Sequence, residues 1–358
     1  MNKGDIILEI RDLSISFQTS GGVMNAIRGV NLTLRKGETL AIVGESGSGK
    51  SVTVNTIMGN FSKNERVNRG EILYTYEENG VPLTRDLLTL KRRQIIRQIC
   101  GQKVAMVFQD PMTTLDPTMQ IGKQVMEGIR RHRRLKKPQA WREAVSLLDQ
   151  VGIADPERAM KSYPHQLSGG MRQRVVIASA IGCNPDILIC DEPTTALDVT
   201  IQARILELIQ RLQRERGFSI IYITHDLGVV AKVADTVAIM YAGKIVEKGT
   251  AYDVFYDPKH PYTWGLLSAI PSLDSDGDRL YTIPGSPMNL LHEVKGDAFA
   301  PRNRYALNID FEEEPPMFKI SDTHEAATWL LHPDAPQVYP PAELLIRIQA
   351  TLKEDVSI

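Results

Sequence analysis

Cysteine is scarce in this 358-residue chain, and the three present, Cys100, Cys183 and Cys190, stand at no metal-ligand spacing from one another. They read as small core hydrophobes in a reducing compartment, with Cys190 inside the apolar run Ile187-Leu188-Ile189-Cys190. A surplus of charge of either sign is also missing. The 42 Lys and Arg nearly cancel the 43 Asp and Glu, which argues against nucleic acid as the main partner. No apolar run approaches the roughly 18 residues that cross a bilayer. The opening Met-Asn-Lys-Gly-Asp-Ile-Ile-Leu-Glu-Ile mixes charge with apolar residues too early for a signal-peptide core. Any membrane role therefore needs another chain that spans it. What is present is ordinary for a soluble globular protein, 42% apolar and 24% charged, with length enough for two or three structural units.

Residues from Ile7 to about Lys36 read as short strands with turns at Ser20-Gly21-Gly22 and Lys36-Gly37. Glu38 to Val43 is an apolar strand running into glycines, and a helix pattern starts near Lys50, which together make half of a parallel α/β unit. From about Asp116 to Ala180 the pattern is helical. The solid apolar runs Ile187–Cys190 and Ser219–Ile223, with a helix pattern over Ile201–Arg214 between them, suit strands covered on both faces. No motif occurs twice, so the chain holds one such unit. Past Gly249 prolines collect and periodicity weakens. This reads as a loop-rich C-terminal extension, with enough aromatics (Tyr281, Phe299, Tyr305, Phe311, Phe318, Trp329) to be folded.

Three motifs carry chemistry. Gly44-Glu45-Ser46-Gly47-Ser48-Gly49-Lys50-Ser51 is a P-loop, or Walker A motif, set between strand and helix. Its glycines let several backbone N–H groups face one phosphate chain, and the helix start adds its positive dipole end. Lys50 is placed to contact the β and γ phosphates, and the Ser51 hydroxyl to hold Mg²⁺. Asp191-Glu192 ends a buried strand. Alone it marks a strand end as readily as a site. Downstream of a P-loop it offers Asp191 for Mg²⁺ and Glu192 to polarise an attacking water. Ser168-Gly169-Gly170, after Leu167, opens a helix with free N–H groups, a hydroxyl and no bulk. It is either a simple helix cap or a second phosphate grip facing nucleotide bound by another chain.

The order of P-loop, Gln109, Leu-Ser-Gly-Gly, Asp191-Glu192, Asp198 and His225 resembles the ATP-binding cassette family over residues from about 8 to 250. The resemblance implies an α/β fold: a P-loop ATPase with a RecA-like core, an antiparallel β subdomain and a helical subdomain at about 111–182. The nucleotide-binding domain would span 1–250 and the extension 251–358. It implies that Phe17 stacks on adenine and that Gln109 senses Mg²⁺ and the attacking water. Asp198, in Thr195-Ala196-Leu197-Asp198, would bridge two ATPase subunits, and His225 would contact the γ-phosphate. Two subunits would sit head to tail, so that each ATP meets one P-loop and the other chain's Ser168, Gly169 and Gly170. Met171 departs from the family's usual glutamine without touching those contacts. With Glu192 and His225 both present the chain is expected to hydrolyse ATP.

Two stretches narrow the group. Val107 to Pro117 resembles the segment lining the groove for a permease's coupling helix. His260-Pro261-Tyr262-Thr263-Trp264-Gly265-Leu266-Leu267-Ser268-Ala269-Ile270-Pro271 resembles the hallmark of oligopeptide, dipeptide and nickel importer ATPases. Relatives with an iron–sulfur cluster carry cysteines near a Phe-Ala-Pro-Arg-Cys segment. Here Phe299-Ala300-Pro301-Arg302 is followed by Asn303, Asp297 stands at another such position, and no cysteine lies beyond Cys190, so no cluster is expected. The cysteine-free tail looks like that of D-type oligopeptide importer ATPases of Gram-positive bacteria. The partners so implied are a second ABC ATPase subunit in a heterodimer, two transmembrane permeases and an extracellular or periplasmic peptide-binding protein. The implied location is the cytoplasmic face of the membrane, as a peripheral subunit. The basic run Arg130–Lys137 reads as a solvated helix end, or as a contact for anionic lipid. Dipeptide, nickel or other small-cargo import stays open. A soluble ABC ATPase acting on DNA or ribosomes would usually carry a coiled-coil insertion or a second fused unit, and a module holding ATP without hydrolysis would lack Glu192 or His225.

Overall fold

The computed structural model describes residues 2, 4–78, 80–194, 197–270, 283–291 and 294–355. Thr195, Ala196, Pro271 and Tyr281, named above, lie outside them. In chain order the first strands are β1 (Ile6–Thr19), β2 (Gly22–Arg35), β3 (Thr39–Val43), β4 (Glu65–Glu78), β5 (Val81–Asp86) and β6 (Val104–Val107). They are followed by β7 (Ile187–Asp191), β8 (Ser219–Thr224), β9 (Thr236–Tyr241), β10 (Lys244–Thr250), β11 (Phe318–Lys319) and β12 (Glu325–Ala326). They form two sheets, an antiparallel one in the order β2-β1-β4-β5 and a mixed one in the order β11-β12-β10-β9-β3-β8-β7-β6.

β9, β3, β8, β7 and β6 run parallel to one another in the larger sheet, with β6 at its edge. Every residue of β3 and β8 is buried, as solid apolar runs require. Side chains alternate between faces along a strand, so each strand feeds two cores. Ile220 and Tyr222 join the core shared with the helical layer, while Ile221 and Ile223 face the core under the antiparallel sheet.

The N-terminal region differs from the short strands expected. β1 and β2 are each 14 residues long. β1 passes through the polar pair Arg11-Asp12 on register shifts between Ile10 and Ser14, with Asp12 at φ 45°. Asn31 Oδ1 accepts from the Asp12 N–H at 3.0 Å, so the bulged residue keeps a partner.

The helices Ile121–Arg133, Lys137–Gln150, Pro156–Lys161 and Gly169–Ile181 pack on one another as a separate layer. Ile121, Val125, Met126 and Ile129 place one apolar stripe inward, and Ala140, Ala144, Leu147 and Leu148 answer it from the next helix. The basic run falls at the junction of the first two of these helices. Arg134 there is left-handed, Arg133 pairs with Glu143 at 3.3 Å, and the remaining Lys and Arg of the run are exposed, while His132 is half-buried.

Beyond β10 the chain forms the helices Ala251–Tyr256 and Pro261–Ser268, then returns to the sheet as β12, which pairs with β10 through Glu247↔Ala326 and Lys248↔Glu325. A buried polar knot ties this return. Glu247 accepts from the N–H groups of Lys259 (2.7 Å) and His260 (3.0 Å) and meets His324 Nε2 at 2.8 Å. Of the aromatics expected to hold the extension, Phe299 is buried against Tyr241 and Tyr262, Tyr305 packs edge-on to Trp264, and Phe318 meets Trp329. Phe311 instead is 54% exposed.

Candidate functional site

The parallel strands end along one edge, and the expected site residues leave the sheet there. Val43 is level with Thr224, Asp191 with Ile223, and Val107 with Cys190. The residues that follow those positions, 44–51, 192, 225 and 109, are therefore gathered by topology at the carboxyl end of the sheet.

The loop after β3 needs its glycines. A Cβ on Gly44 would lie 2.1 Å from the Met240 carbonyl oxygen, and one on Gly49, whose φ is 108°, would lie 2.7 Å from Ile27 Cδ1. Gly47 also has a positive φ, 80°. The helix Lys50–Ile57 starts directly after this turn. Lys50 is buried, and its ammonium donates to the carbonyls of Gly44 (2.7 Å) and Glu45 (2.9 Å), so it lies across the loop. Burial lowers its pKa, against the opposing pull of Glu192, Asp191 and Glu45. The Ser48 hydroxyl is buried among the loop residues without a protein partner, as a group waiting for a ligand's oxygen would be.

The Ser51 hydroxyl lies 3.4 Å from Asp191 Oδ1. Burial raises the Asp191 pKa, with Glu192 adding to the rise and Ser51 and Lys50 opposing it. A hydroxyl and a carboxylate oxygen this close suit a hard, oxygen-seeking cation such as Mg²⁺. Glu192 adopts φ 46°, a left-handed conformation that costs energy in a residue with a Cβ and recurs at functional sites. Its two carboxylate oxygens are held separately: Gln109 Nε2 donates to Oε2 at 2.9 Å, and His225 Nδ1 lies 3.0 Å from Oε1. Glu192 is thus fixed in orientation beside a more exposed histidine. Lys50, Ser51, Gln109, Asp191, Glu192 and His225 form one cluster.

Ser168 and Asp198 do different work in this chain. The Ser168 hydroxyl accepts from the Met171 N–H at 3.3 Å and caps the helix Gly169–Ile181. Asp198 caps Val199–Arg216 by accepting from the Ile201 N–H at 2.9 Å. The two helix starts are neighbours, since a Cβ on Gly170 would meet Ile201 Cγ2 at 3.0 Å. Ser168 and Gly169 face outward, as a grip on another chain's ligand requires. Phe17 sits on β1, half-buried, opposite Met24 and Glu65.

Residues 27–195 match the family model described as ABC transporter, and residues 246–309 match Oligopeptide/dipeptide transporter, C-terminal region. The chain is 57% identical over 343 residues to the oligopeptide transport ATP-binding protein OppD of Bacillus subtilis, covering 94% of this chain and 92% of that one. It is 54% identical to the dipeptide transport ATP-binding protein DppD of Lactococcus lactis, covering 95% of each. The dimeric structure of a bacterial ABC transporter cassette superposes with a TM-score of 0.58 at 27% identity, over 68% of this chain and 98% of that one. The chain belongs to the ABC transporter ATPases. It is an ATP-binding, ATP-hydrolysing subunit of a membrane transport system, and no helix among its described residues is long and apolar enough to cross a membrane.

Three residues of this ABC ATPase that the motifs did not single out bear on the cluster. Gln173 is buried, and its Nε2 donates to the Pro193 carbonyl at 2.7 Å, tying the Ser168 helix to the loop after Glu192. Its place in the Arg-Gln-Arg run beyond Ser-Gly-Gly was a usable signal. Tyr262 and Arg302 reach Glu45 of the phosphate loop from the extension. Where cluster-bearing relatives are expected to hold cysteines, this chain makes loop hydrogen bonds. Asp297 Oδ1 accepts from the Phe299 N–H, and Asn303 Oδ1 from the Tyr305 N–H, both at 2.9 Å.

Proposed function

We propose that this ABC ATPase powers the import of oligopeptides, with hydrolysis centred on Glu192. The observation that carries the reading is the double restraint of Glu192 by Gln109 and His225 beside Lys50 and Asp191. Lys50 leaves the Gly44 and Glu45 carbonyls for the β and γ phosphates, and the loop N–H groups of residues 44–51 cradle the chain of phosphates. Phe17 packs on the adenine. Ser51, Asp191 and Gln109 would hold Mg²⁺, which neutralises phosphate charge when bound. Glu192 orients and deprotonates the attacking water, and His225 contacts the γ-phosphate. Ser168, Gly169 and Gly170 serve nucleotide held by a second ABC ATPase subunit, with Asp198 at the seam between subunits.

The catalytic unit is residues 1–250, with 111–182 as its helical subdomain, and residues 251–358 are the extension. The unlike second subunit, two permeases and an extracellular or periplasmic peptide-binding protein complete the complex, with this subunit at the cytoplasmic face of the membrane. A groove lined by Phe108, Leu115, Met119 and His132, with a volume of about 460 Å³, supports the docking of a permease's coupling helix on the segment Val107–Pro117. Peptide cargo is supported by the match of residues 246–309 and by relatives named for oligopeptide and dipeptide transport. The test is purification of the tagged chain from mild detergent, followed by ATPase assay with candidate cargo. Recovery of two permeases and turnover stimulated by peptide-loaded binding protein is expected. Stimulation by nickel or by dipeptides alone would reassign the cargo, and recovery of ribosomes or DNA-repair proteins would refute the import reading.

A further inference from the structure

Glu45, the second residue of the phosphate loop, is held from three directions. Its N–H donates to the Tyr262 hydroxyl at 2.9 Å, and its carbonyl accepts from Lys50 Nζ at 2.9 Å. Its carboxylate takes both arms of the Arg302 guanidinium, Oε2 at 2.6 Å and Oε1 at 3.0 Å. Two of these three restraints come from beyond residue 250. Both are themselves built in. Arg302 is 7% exposed, donates from Nε to the Pro284 carbonyl at 2.8 Å, and lies 5.7 Å from the Tyr241 ring centre. Tyr262 is fully buried between Tyr241 and Phe299, at ring separations of 4.8 and 5.3 Å. A two-pronged guanidinium–carboxylate pair fixes direction as well as charge.

The consequence lies in what Glu45 neighbours. An unpaired carboxylate in a loop that receives a polyanion opposes binding, and a loop free to swing scatters the N–H groups it must aim. We propose that Arg302 and Tyr262 are positioning residues of the ATP site. Arg302 neutralises Glu45, and Tyr262 pins its backbone, so the extension sets the geometry of the phosphate loop. The inference rests on the reading of residues 44–51 as that site.

The experiment is a titration of the full-length chain with a fluorescent ATP analogue and Mg²⁺, with thermal unfolding run alongside. Arg302→Gln is expected to weaken binding about tenfold in the native background, but by no more than about twofold when combined with Glu45→Gln, as coupled neighbours do. Arg302→Lys keeps the charge without the fork and should recover part of the loss. If Arg302 only braces the extension through Pro284 and Tyr241, the loss will be equal in both backgrounds, which overturns the proposal, as does unaltered binding by Arg302→Gln. Should Arg302→Gln fail to fold, Tyr262→Phe decides by removing one oxygen. Weakened binding at an unchanged melting temperature supports the pin, and unchanged binding overturns it. Lys50→Ala separates the two layers of the argument. If it leaves binding intact the loop reading itself fails. If it abolishes binding while the Arg302 and Tyr262 variants bind normally, the proposal alone falls.

Discussion

Glu192→Gln changes one atom's chemistry and almost none of the packing, so its effect can be worked through from the contacts. Glutamine keeps the side chain's volume, its carbonyl oxygen still accepts from Gln109 Nε2, and its NH₂ donates to His225 Nδ1 once the neutral ring carries its proton on Nε2 instead. With both contacts retained, the fold should change by no more than about 0.5 kcal/mol. What is lost is the ability to take a proton from water. General-base catalysis contributes about 10²–10⁴ in rate. That corresponds to about 2.7–5.5 kcal/mol of barrier. Nucleotide binding should move the other way if at all, because removing the Glu192 charge relieves one of the influences that raise the Asp191 pKa. The assay is steady-state ATP turnover of the assembled complex, beside nucleotide binding by the chain alone. Turnover within about tenfold of the native enzyme would refute the general-base role. Loss of binding would show instead that Glu192 holds the site together.

Lys50→Ala should abolish turnover and weaken nucleotide binding, since Lys50 is the buried cation whose ammonium lies on the loop's own carbonyls, those of Gly44 and Glu45; unchanged turnover, measured as phosphate release, would refute the assignment. Ser168→Ala removes the cap on Gly169–Ile181 at a cost of about 1 kcal/mol. Its turnover in the complex should fall while nucleotide binding by the isolated chain stays native, and a loss in the isolated chain would place Ser168 at its own chain's site. Asp297 is pushed up to about 6 from 3.8 by burial, helped by Asp310 and Glu314. Because the folded form then holds its proton more tightly, stability falls as pH rises from about 4 to 6. Asp297→Asn should therefore stabilise the fold at pH 7.5 by about 1–3 kcal/mol, read as a higher melting temperature, and by only about a third as much at pH 4.5. An equal gain at both pH values would mean the carboxylate's charge is not the cause.

Features whose physics is local were legible in the residues. Gly44–Ser51 is readable because a tight turn, a close backbone approach and a helix start all act within eight positions, and the structure puts a glycine wherever a Cβ would collide or φ is strongly positive in the loop. The helix start at Ser168 was readable because its cap bonds three residues on, whereas the helix pattern read from Ile201 begins two residues earlier, at Val199, capped by Asp198. β1 is longer than the short strands expected, because a bulge at Asp12 lets a polar pair sit inside it, and that depends on Asn31 from the neighbouring strand. β11 and β12 carry no periodicity to read, being two residues each and defined by the partner they pair with.

The residues by themselves determined that the chain binds a triphosphate and that no cysteine lies in the tail beyond Cys190, because each depends on residue type and short spacing. The tertiary structure alone decided how those side chains are oriented. Gln109 and His225 reach opposite oxygens of Glu192 only because parallel β6, β7 and β8 end together at one edge. Arg302 meets Glu45 across 257 residues only because the extension turns back onto β10 and packs its aromatic core beneath the phosphate loop. A contact at that separation leaves no trace in local pattern, since its free energy is released only when the two segments are already folded and side by side.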